Sequence, residues 1–185
     1  MERRTLKTAG IIFAVFLVIY LISVYLMGSY MGFFADKADL KNNFDKKDRA
    51  IAALADYMQK ITPEGSLVRF ASGNKGKITA ITPSGRWEAK ADSAEAEPLL
   101  RELGWSTESI ATLKDMLKIA DCVSVTSANP DRDSAVFVEY RRNGMGYLVF
   151  PADLTESQQK EYTGYGNTFY KNNIVFIHDD WWMES

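Results

Sequence analysis

The stretch 135–150, AVFVEYRRNGMGYLVF, decides the fold of this chain. Two runs rich in β-branched and aromatic residues, 135–141 and 145–150, flank the dipeptide Asn143-Gly144, which favours the backbone of a tight hairpin turn. Because a connection this short joins only antiparallel neighbours, the stretch predicts an antiparallel hairpin. The sheet of this protein is therefore expected to be mainly antiparallel.

Further strand and helix patterns surround this hairpin on both sides. β-prone runs separated by turn residues predict strands at 67–72, 77–82, 86–91, 122–127 and 174–177. Apolar periodicity and capping residues predict helices at 45–61, before Gly104, after Ser106 and after Thr155. Strands and helices come in blocks, which is typical of an α+β fold. The four apolar residues of 174–177 predict a strand buried on both faces, in a central position.

A long uncharged run near the N-terminus predicts a membrane anchor. No charged side chain occurs from Thr8 to Ala35, a run of 28 residues. As a helix it would extend roughly 42 Å, enough to cross a hydrocarbon core of about 30 Å with some tilt. A buried core helix would carry polar residues, and the apolar part of a cleavable signal peptide is shorter. The run therefore predicts a single-pass signal-anchor helix whose partner is the lipid bilayer.

The charges that flank the anchor bear on its orientation. Basic residues occur on both sides of the run, so their count alone does not decide. A short basic tail resists translocation, whereas a long domain crosses largely regardless of its charge. We therefore expect the protein in the cell membrane with its C-terminal domain outside the cytoplasm. The expected organisation is a basic cytoplasmic tail at 1–7, the transmembrane helix at 8–35, a connector at 36–43 and an extracytoplasmic domain at 44–185.

Composition excludes several classes of protein. The chain has 185 residues, with 22 basic and 24 acidic side chains, and 46% of its residues are hydrophobic. This balance is typical of a folded protein and argues against a nucleic-acid binder, which would carry a basic excess. The lone Cys122 lies in an apolar run and is expected to be a buried structural thiol.

The C-terminal segment holds the one place where an imidazole meets carboxylates, His178-Asp179-Asp180. In a continuing strand His178 and Asp180 would share a face, where a histidine beside a carboxylate can act as a base or a ligand. A metal site normally needs three or four ligands, and the chain has one His and one Cys. We therefore expect no metal and no cofactor, and interpret the segment as a polar cluster at a strand end.

Two further features indicate interactions. Of the adjacent indoles Trp181 and Trp182, one is expected to cap the core and the other to contact a partner or the membrane interface. Gly28 and Gly32 have the Gly-x-x-x-Gly spacing that lets two helix backbones approach closely in lipid. This spacing predicts a homodimer; the alternative is that the glycines only fray the helix end.

The loop Gly73-Asn74-Lys75-Gly76-Lys77 lacks the residues of a phosphate-binding loop. Such a loop needs a glycine where this chain has Ala71 and a hydroxyl residue where it has Ile78. The glycines are therefore interpreted as a hairpin turn.

No complete catalytic constellation is present in the sequence, and no catalytic residue is assigned. The sequence favours a membrane-anchored, non-catalytic binding or assembly (accessory) protein of the cell envelope, whose partner is another membrane or envelope protein. Two alternatives stay open. One is a membrane-tethered hydrolase with an unrecognised site. The other is a small-ligand sensor, which requires a roomy pocket with a few polar groups.

Overall fold

The computed structural model describes residues 16–24, 37–73, 76–128, 135–141, 144–164, 168–171 and 173–177. The chain divides into two compact units, Met1–Ala35 and Asp36–Ser185. In the first unit residues 16–24 form a helix, α1, whose side chains are all exposed. Among the helices of the described ranges, none is both long enough and apolar enough to cross a membrane.

The second unit is an α+β domain, as the sequence predicts. Its helices are α2 (Lys37–Ile61), a 3₁₀ turn (Ala94–Ala96), α3 (Glu97–Leu103), α4 (Thr107–Ala120) and α5 (Glu156–Gly164). Its strands are β1 (Leu67–Ala71), β2 (Lys77–Thr82), β3 (Gly85–Lys90), β4 (Ser124–Ala128), β5 (Val136–Glu139), β6 (Gly146–Val149), β7 (Thr168–Lys171) and β8 (Ile174–Ile177).

The described strands form one sheet in the order β3-β2-β1-β4-β5-β6-β8-β7, with antiparallel pairing throughout. The hairpin of β5 and β6 is present as expected, and β1, β2 and β3 match their predicted runs to within one residue. β7 was not expected, because its sequence lies between glycine and asparagine residues that indicate turns. β8 is buried at all four positions but lies one strand from the sheet edge rather than at the centre.

Two helix boundaries follow the capping residues. Gly104 ends α3 in the left-handed conformation at φ 65°, which glycine adopts at little cost. Ser106 accepts a hydrogen bond from the backbone N–H of Ser109 and begins α4. Trp105, immediately before this cap, is buried, and its indole N–H donates to the carbonyl of Ile61 at 2.8 Å. The turn between α3 and α4 is thus fixed to the end of α2.

α2 begins at Lys37, so residues expected to form a connector belong to this helix. The reason is that Leu40 and Phe44, one turn apart, are both buried. They extend the apolar stripe that the sequence shows from Ile51 to Ile61 toward the N-terminus. The charged run at 45–49, which is exposed or half-buried, separates Phe44 from Ile51 and conceals this extension.

The main core lies between the sheet and the helices α2 and α4. α2 contacts α4 and the strands β4, β5 and β6. The strand register aligns one buried apolar or aromatic residue from each of six strands on this face. This row is Ile78, Phe70, Val125, Val138, Tyr147 and Phe176.

A second core covers half of the opposite sheet face. Phe137, Leu148 and Val175 of β5, β6 and β8 pack there with Phe150 and Leu154, and Tyr162 of α5 lies against them. The other half of this face, formed by β1 to β4 and by Glu139 at the end of β5, carries mostly polar side chains. The sheet therefore has one mainly apolar face and one face that changes from apolar to polar.

Candidate functional site

The polar half of the second face consists of two aligned rows of side chains, which we call the polar face. Residues directly opposite one another in the ladder place both rows on the same side of the sheet. The first row is Lys90, Lys77, Ala71, Ser124 and Glu139. The second row is Glu88, Thr79, Arg69 and Thr126.

A cavity of about 770 Å³ opens on this polar face. Among the residues that the structure describes, its charged lining consists of three basic and three acidic side chains, and the remaining lining is formed by glycines, alanines, serines and Val123. The charged residues are Arg69, Lys77, Lys90, Glu88, Glu95 and Glu139. Glu95, from the 3₁₀ turn, lies outside the two rows; the other five come from the strands.

Small residues create the space around Glu139. Its neighbours across the ladder are Ser124 on β4 and Gly146 on β6, and Ala71 follows Ser124 in the same row. A Cβ atom at Gly146 would collide with the carbonyl oxygen of Val138 and lie 2.9 Å from the Cα atom of Glu139. β5 and β6 therefore approach more closely at this point than any larger residue would permit.

The floor of the cavity holds a partly buried ion pair. Glu139 is only 2% exposed, and its Oε2 atom accepts a hydrogen bond from Nη2 of Arg69 at 2.6 Å. The hydroxyl of Ser124 donates to the same oxygen. A buried carboxylate needs such partners, because losing water without them would cost several kcal/mol. The side chain of Arg69 is 38% exposed, so it links the buried carboxylate to the cavity.

Hydrogen-bonding capacity remains unused around this ion pair. The guanidinium has five N–H donors and makes one hydrogen bond to the described part of the chain. Oε1 of Glu139 accepts none from the described residues. Thr126, directly opposite Arg69 on β4, is 7% exposed, and its Oγ1 likewise has no partner within those residues.

The rim of the cavity carries more exposed charges. Lys77 and Lys90 face each other across β2 and β3, a like-charge pairing that is unfavourable by itself. Glu88 offsets it, since its Oε1 lies 2.8 Å from Nζ of Lys77. The hydrogen bond from Lys77 and its positive charge lower the pKa of Glu88 below its ordinary value. Lys90 and Glu95 form no ion pair with any described residue.

The residues around the cavity are suited to binding rather than to nucleophilic chemistry. Its described lining contains no imidazole and no thiol, and the hydroxyl of Ser124 already donates to a carboxylate that Arg69 neutralises. Across the described ranges, no group of three or more His, Cys, Asp and Glu residues could hold a metal ion. What the arrangement offers a molecule is paired charges and free hydrogen-bonding groups.

The glycines before Lys77 line the cavity as part of a turn. The backbone N–H of Gly76 donates to the carbonyl of Gly73 at 2.8 Å, and that of Ser72 donates to Val123 at 2.9 Å. Gly76 has φ +67°, which favours glycine. Because these two N–H groups already have partners, they are not available to cradle a phosphate. Asn74 and Lys75 lie outside the described residues.

The described lining of the cavity contains none of the site residues that the sequence singled out. His178, Asp179, Asp180, Trp181, Trp182, Gly28 and Gly32 all lie outside the described residues, so their predicted roles stay predictions. Cys122 is buried as expected. Sequence reasoning missed Arg69, Ser124 and Glu139. The available signal was the single acidic residue Glu139 in an otherwise apolar strand, since a carboxylate there requires a partner.

Comparisons with known proteins identify no relative of this chain. No family model, no curated protein and no solved structure matches the chain.

Proposed function

We propose that this chain is a membrane-anchored, non-catalytic binding protein of the cell envelope that takes a small polar ligand in the cavity of its polar face. The observation that carries the proposal is the cavity of about 770 Å³ with the Arg69–Glu139 ion pair on its floor. Ligand sites typically have volumes of about 300–1,000 Å³ and a small number of placed polar groups.

The unused hydrogen-bonding groups support a ligand at this place. Leaving a buried polar atom without a partner costs about 1–3 kcal/mol, so a molecule that pairs with such atoms gains affinity and specificity. Arg69 offers free donors, and Thr126 is buried with an unpaired hydroxyl. A polar ligand in the cavity is therefore expected to be bound by several directed contacts.

The first unit of the chain supports membrane attachment through residues 8–35. Its described helix, α1, exposes the apolar side chains of 16–22 and Val24. Tyr20 and Ser23 carry the side-chain hydroxyls of this helix, and that of Ser23 donates to the carbonyl of Ile19 at 2.8 Å. Satisfying polar groups inside the helix is what the interior of a bilayer requires. The short basic tail at 1–7 favours an extracytoplasmic position for the cavity.

A protein that binds a ligand without catalysing a reaction has an effect only through a partner that responds to the bound state. We therefore include in the proposal another membrane or envelope protein, on which the ligand-bound domain acts as an accessory subunit. A membrane-tethered hydrolase is less consistent with the cavity, because its described lining has no nucleophile with a free base beside it.

The test is a ligand screen on the full-length protein in detergent micelles. Thermal unfolding is measured with a panel of small amino acids, organic acids, sugars and phosphorylated compounds, since a ligand of the folded state raises Tm. Ala71→Leu fills the cavity from the first row and should abolish the shift. Ala111→Leu, on the exposed face of α4, is the matched control and should preserve it. A panel without any stabilising compound, or equal shifts in the two variants, would contradict the proposal.

A further inference from the structure

We infer that the ligand of this cavity is a small zwitterion of the α-amino-acid class, an inference that rests on the binding function proposed above. Three observations lead to it: the balance of charge around the cavity, the geometry of the ion pair on its floor, and the unpaired charges on its rim.

The described part of the charged lining is electrically balanced. Among the described residues, three basic and three acidic side chains line the cavity, so their formal charges sum to zero. A ligand with one net charge would bring an uncompensated charge into a partly buried site, which is costly. An uncharged ligand would displace water from the exposed charged groups of the lining and would bring no opposite charge in return. A neutral ligand with two opposite charges avoids both penalties and is electrostatically complementary.

The ion pair on the floor has the geometry of an amino acid's charged groups. Arg69 and Glu139 are in direct contact, 2.6 Å between Nη2 and Oε2, so a positive and a negative group lie side by side. An α-amino acid carries its carboxylate and its ammonium on one carbon, also side by side. Aligned in the opposite sense, its carboxylate meets the free N–H donors of Arg69 and its ammonium meets Oε1 of Glu139.

The two proposed contacts, from Arg69 to the ligand carboxylate and from the ligand ammonium to Glu139, follow from the hydrogen-bonding chemistry of these side chains. A guanidinium forms two parallel hydrogen bonds with a carboxylate. The ionised carboxylate of Glu139 only accepts hydrogen bonds, and its Oε1 has no donor among the described residues. An ammonium brings three donors and the opposite charge. The four charges then alternate in sign around the floor of the cavity.

The rim of the cavity carries a further basic and a further acidic side chain. Lys90 of β3 and Glu95 of the 3₁₀ turn line the cavity, and neither has an ion-pair partner in the described part of the chain. They are free to contact a polar ligand side chain. The cavity volume of about 770 Å³ exceeds what the charged end of an amino acid needs, so a substantial ligand side chain also fits.

The test measures binding to the full-length protein in detergent micelles by isothermal titration. The probes are the twenty standard L-amino acids and, for each one that binds, its N-acetyl derivative and its carboxamide. N-acetylation removes the ammonium, and amidation removes the carboxylate charge. Since each loss removes a charge-assisted hydrogen bond, we expect each derivative to bind about tenfold or more weakly than the parent amino acid.

Variants assign the two charged groups to their partners. Glu139→Gln should weaken binding of the amino acid but leave the weak binding of its N-acetyl derivative unchanged, because that derivative has no ammonium. Arg69→Lys keeps the charge but loses the two parallel hydrogen bonds, so it should weaken both. Lys118→Gln, on the exposed surface of α4, is the control and should change neither. The comparison of derivatives on the unaltered protein does not depend on whether either cavity variant folds.

The outcomes separate this inference from the proposed function. Equal binding of an amino acid and either derivative would overturn the zwitterion and leave the cavity as a binding site for an anion or a cation. The zwitterion is also overturned if only sugars, organic acids or phosphorylated compounds bind, with a response sensitive to Ala71→Leu. If no compound of any class binds, the proposed function falls together with the inference.

Discussion

Asn43 of α2 donates a hydrogen bond from Nδ2 to the phenolic oxygen of Tyr147 on β6, at 3.0 Å. The hydroxyl of Tyr147 in turn donates a hydrogen bond to the carbonyl of Leu40 at 2.8 Å. The ring is fully buried, and burial raises the pKa of Tyr147 well above its ordinary value, which keeps the phenol a donor. This chain of hydrogen bonds ties the first turns of α2 to a strand that borders the cavity strand β5.

Replacing Tyr147 by phenylalanine should destabilise the domain. The variant leaves the carbonyl of Leu40 without this buried donor and removes one acceptor of Asn43, so we expect the free energy of unfolding to fall by about 1–3 kcal/mol. Urea unfolding of the full chain measures it. Tyr57→Phe, on a half-buried part of α2 where the hydroxyl bonds to no described residue, is the control and should change stability little. Equal losses in the two variants would show that the network contributes nothing.

Gly146→Ala tests the close approach of β5 and β6. The added Cβ would collide with the carbonyl oxygen of Val138, a backbone atom that cannot move independently of its strand. We expect a loss of about 3 kcal/mol in the free energy of unfolding, the upper range for overpacking. Gly104→Ala provides the contrast, because its Cβ would meet no atom within 4 Å and only the left-handed φ of 65° costs energy, about 1–2 kcal/mol. A smaller loss at Gly146 than at Gly104 would contradict the predicted clash.

Removing one or the other member of the Arg69–Glu139 ion pair should lower the free energy of unfolding by different amounts. Arg69→Met leaves the carboxylate of Glu139 buried without its cation and should cost about 3–5 kcal/mol of unfolding free energy. Glu139→Gln keeps an acceptor for Ser124 and leaves a guanidinium that reaches water, so its cost should be nearer 1 kcal/mol.

An exposed pair provides the control for that comparison. Arg101→Met removes an ion pair to Glu97 whose side chains are both more than 70% exposed, and pairs of this kind contribute about 0–1 kcal/mol. Chemical denaturation of the three variants in the full chain measures all the effects. If Arg69→Met were no worse than Arg101→Met, the carboxylate of Glu139 would not depend on Arg69 for its compensation, contrary to the ion pair that the structure describes.

Local sequence patterns predict much of the fold, whereas the cavity depends on the pairing of strands that are far apart in the sequence. The hairpin at 135–150 and the caps at Gly104 and Ser106 depend on residues a few positions apart, so the sequence reveals them. Arg69 and Glu139 are far apart in sequence and meet only because β4 lies between β1 and β5. Alternation predicts which side chains share a face but not which strands are neighbours. The ion pair, and with it the cavity, was therefore not predictable from local patterns.

Orientation in the membrane is testable by reporter fusion. The basic tail at Arg3, Arg4 and Lys7 predicts that the domain after residue 36 lies outside the cytoplasm. A reporter that works only outside the cytoplasm, fused after Ser185, should be active, and a reporter that works only inside should be silent. The reverse pattern would place the cavity in the cytoplasm and overturn the envelope location.

The thiol of Cys122 predicts how stability depends on alkaline pH. Burial, with a smaller contribution from the negative charge of Asp121, raises the pKa of Cys122 from 9.0 to about 12. The unfolded chain releases this proton at lower pH than the folded chain, so the thiol's contribution to stability is fully present below pH 9. It falls as the pH rises toward 12, by about 1.4 kcal/mol per pH unit within that window.

The measurement compares the parent chain with Cys122→Ala by urea unfolding at pH 8.5 and pH 11. The phenol of Tyr147 titrates in the same direction, because its pKa is also raised, but it is present in both proteins and cancels in the comparison. Between the two pH values the parent should lose about 2.5 kcal/mol more than the variant. Equal losses would mean that the thiol is reached by solvent in the folded state, contrary to its burial beside Asn43 and the carbonyl of Ala120.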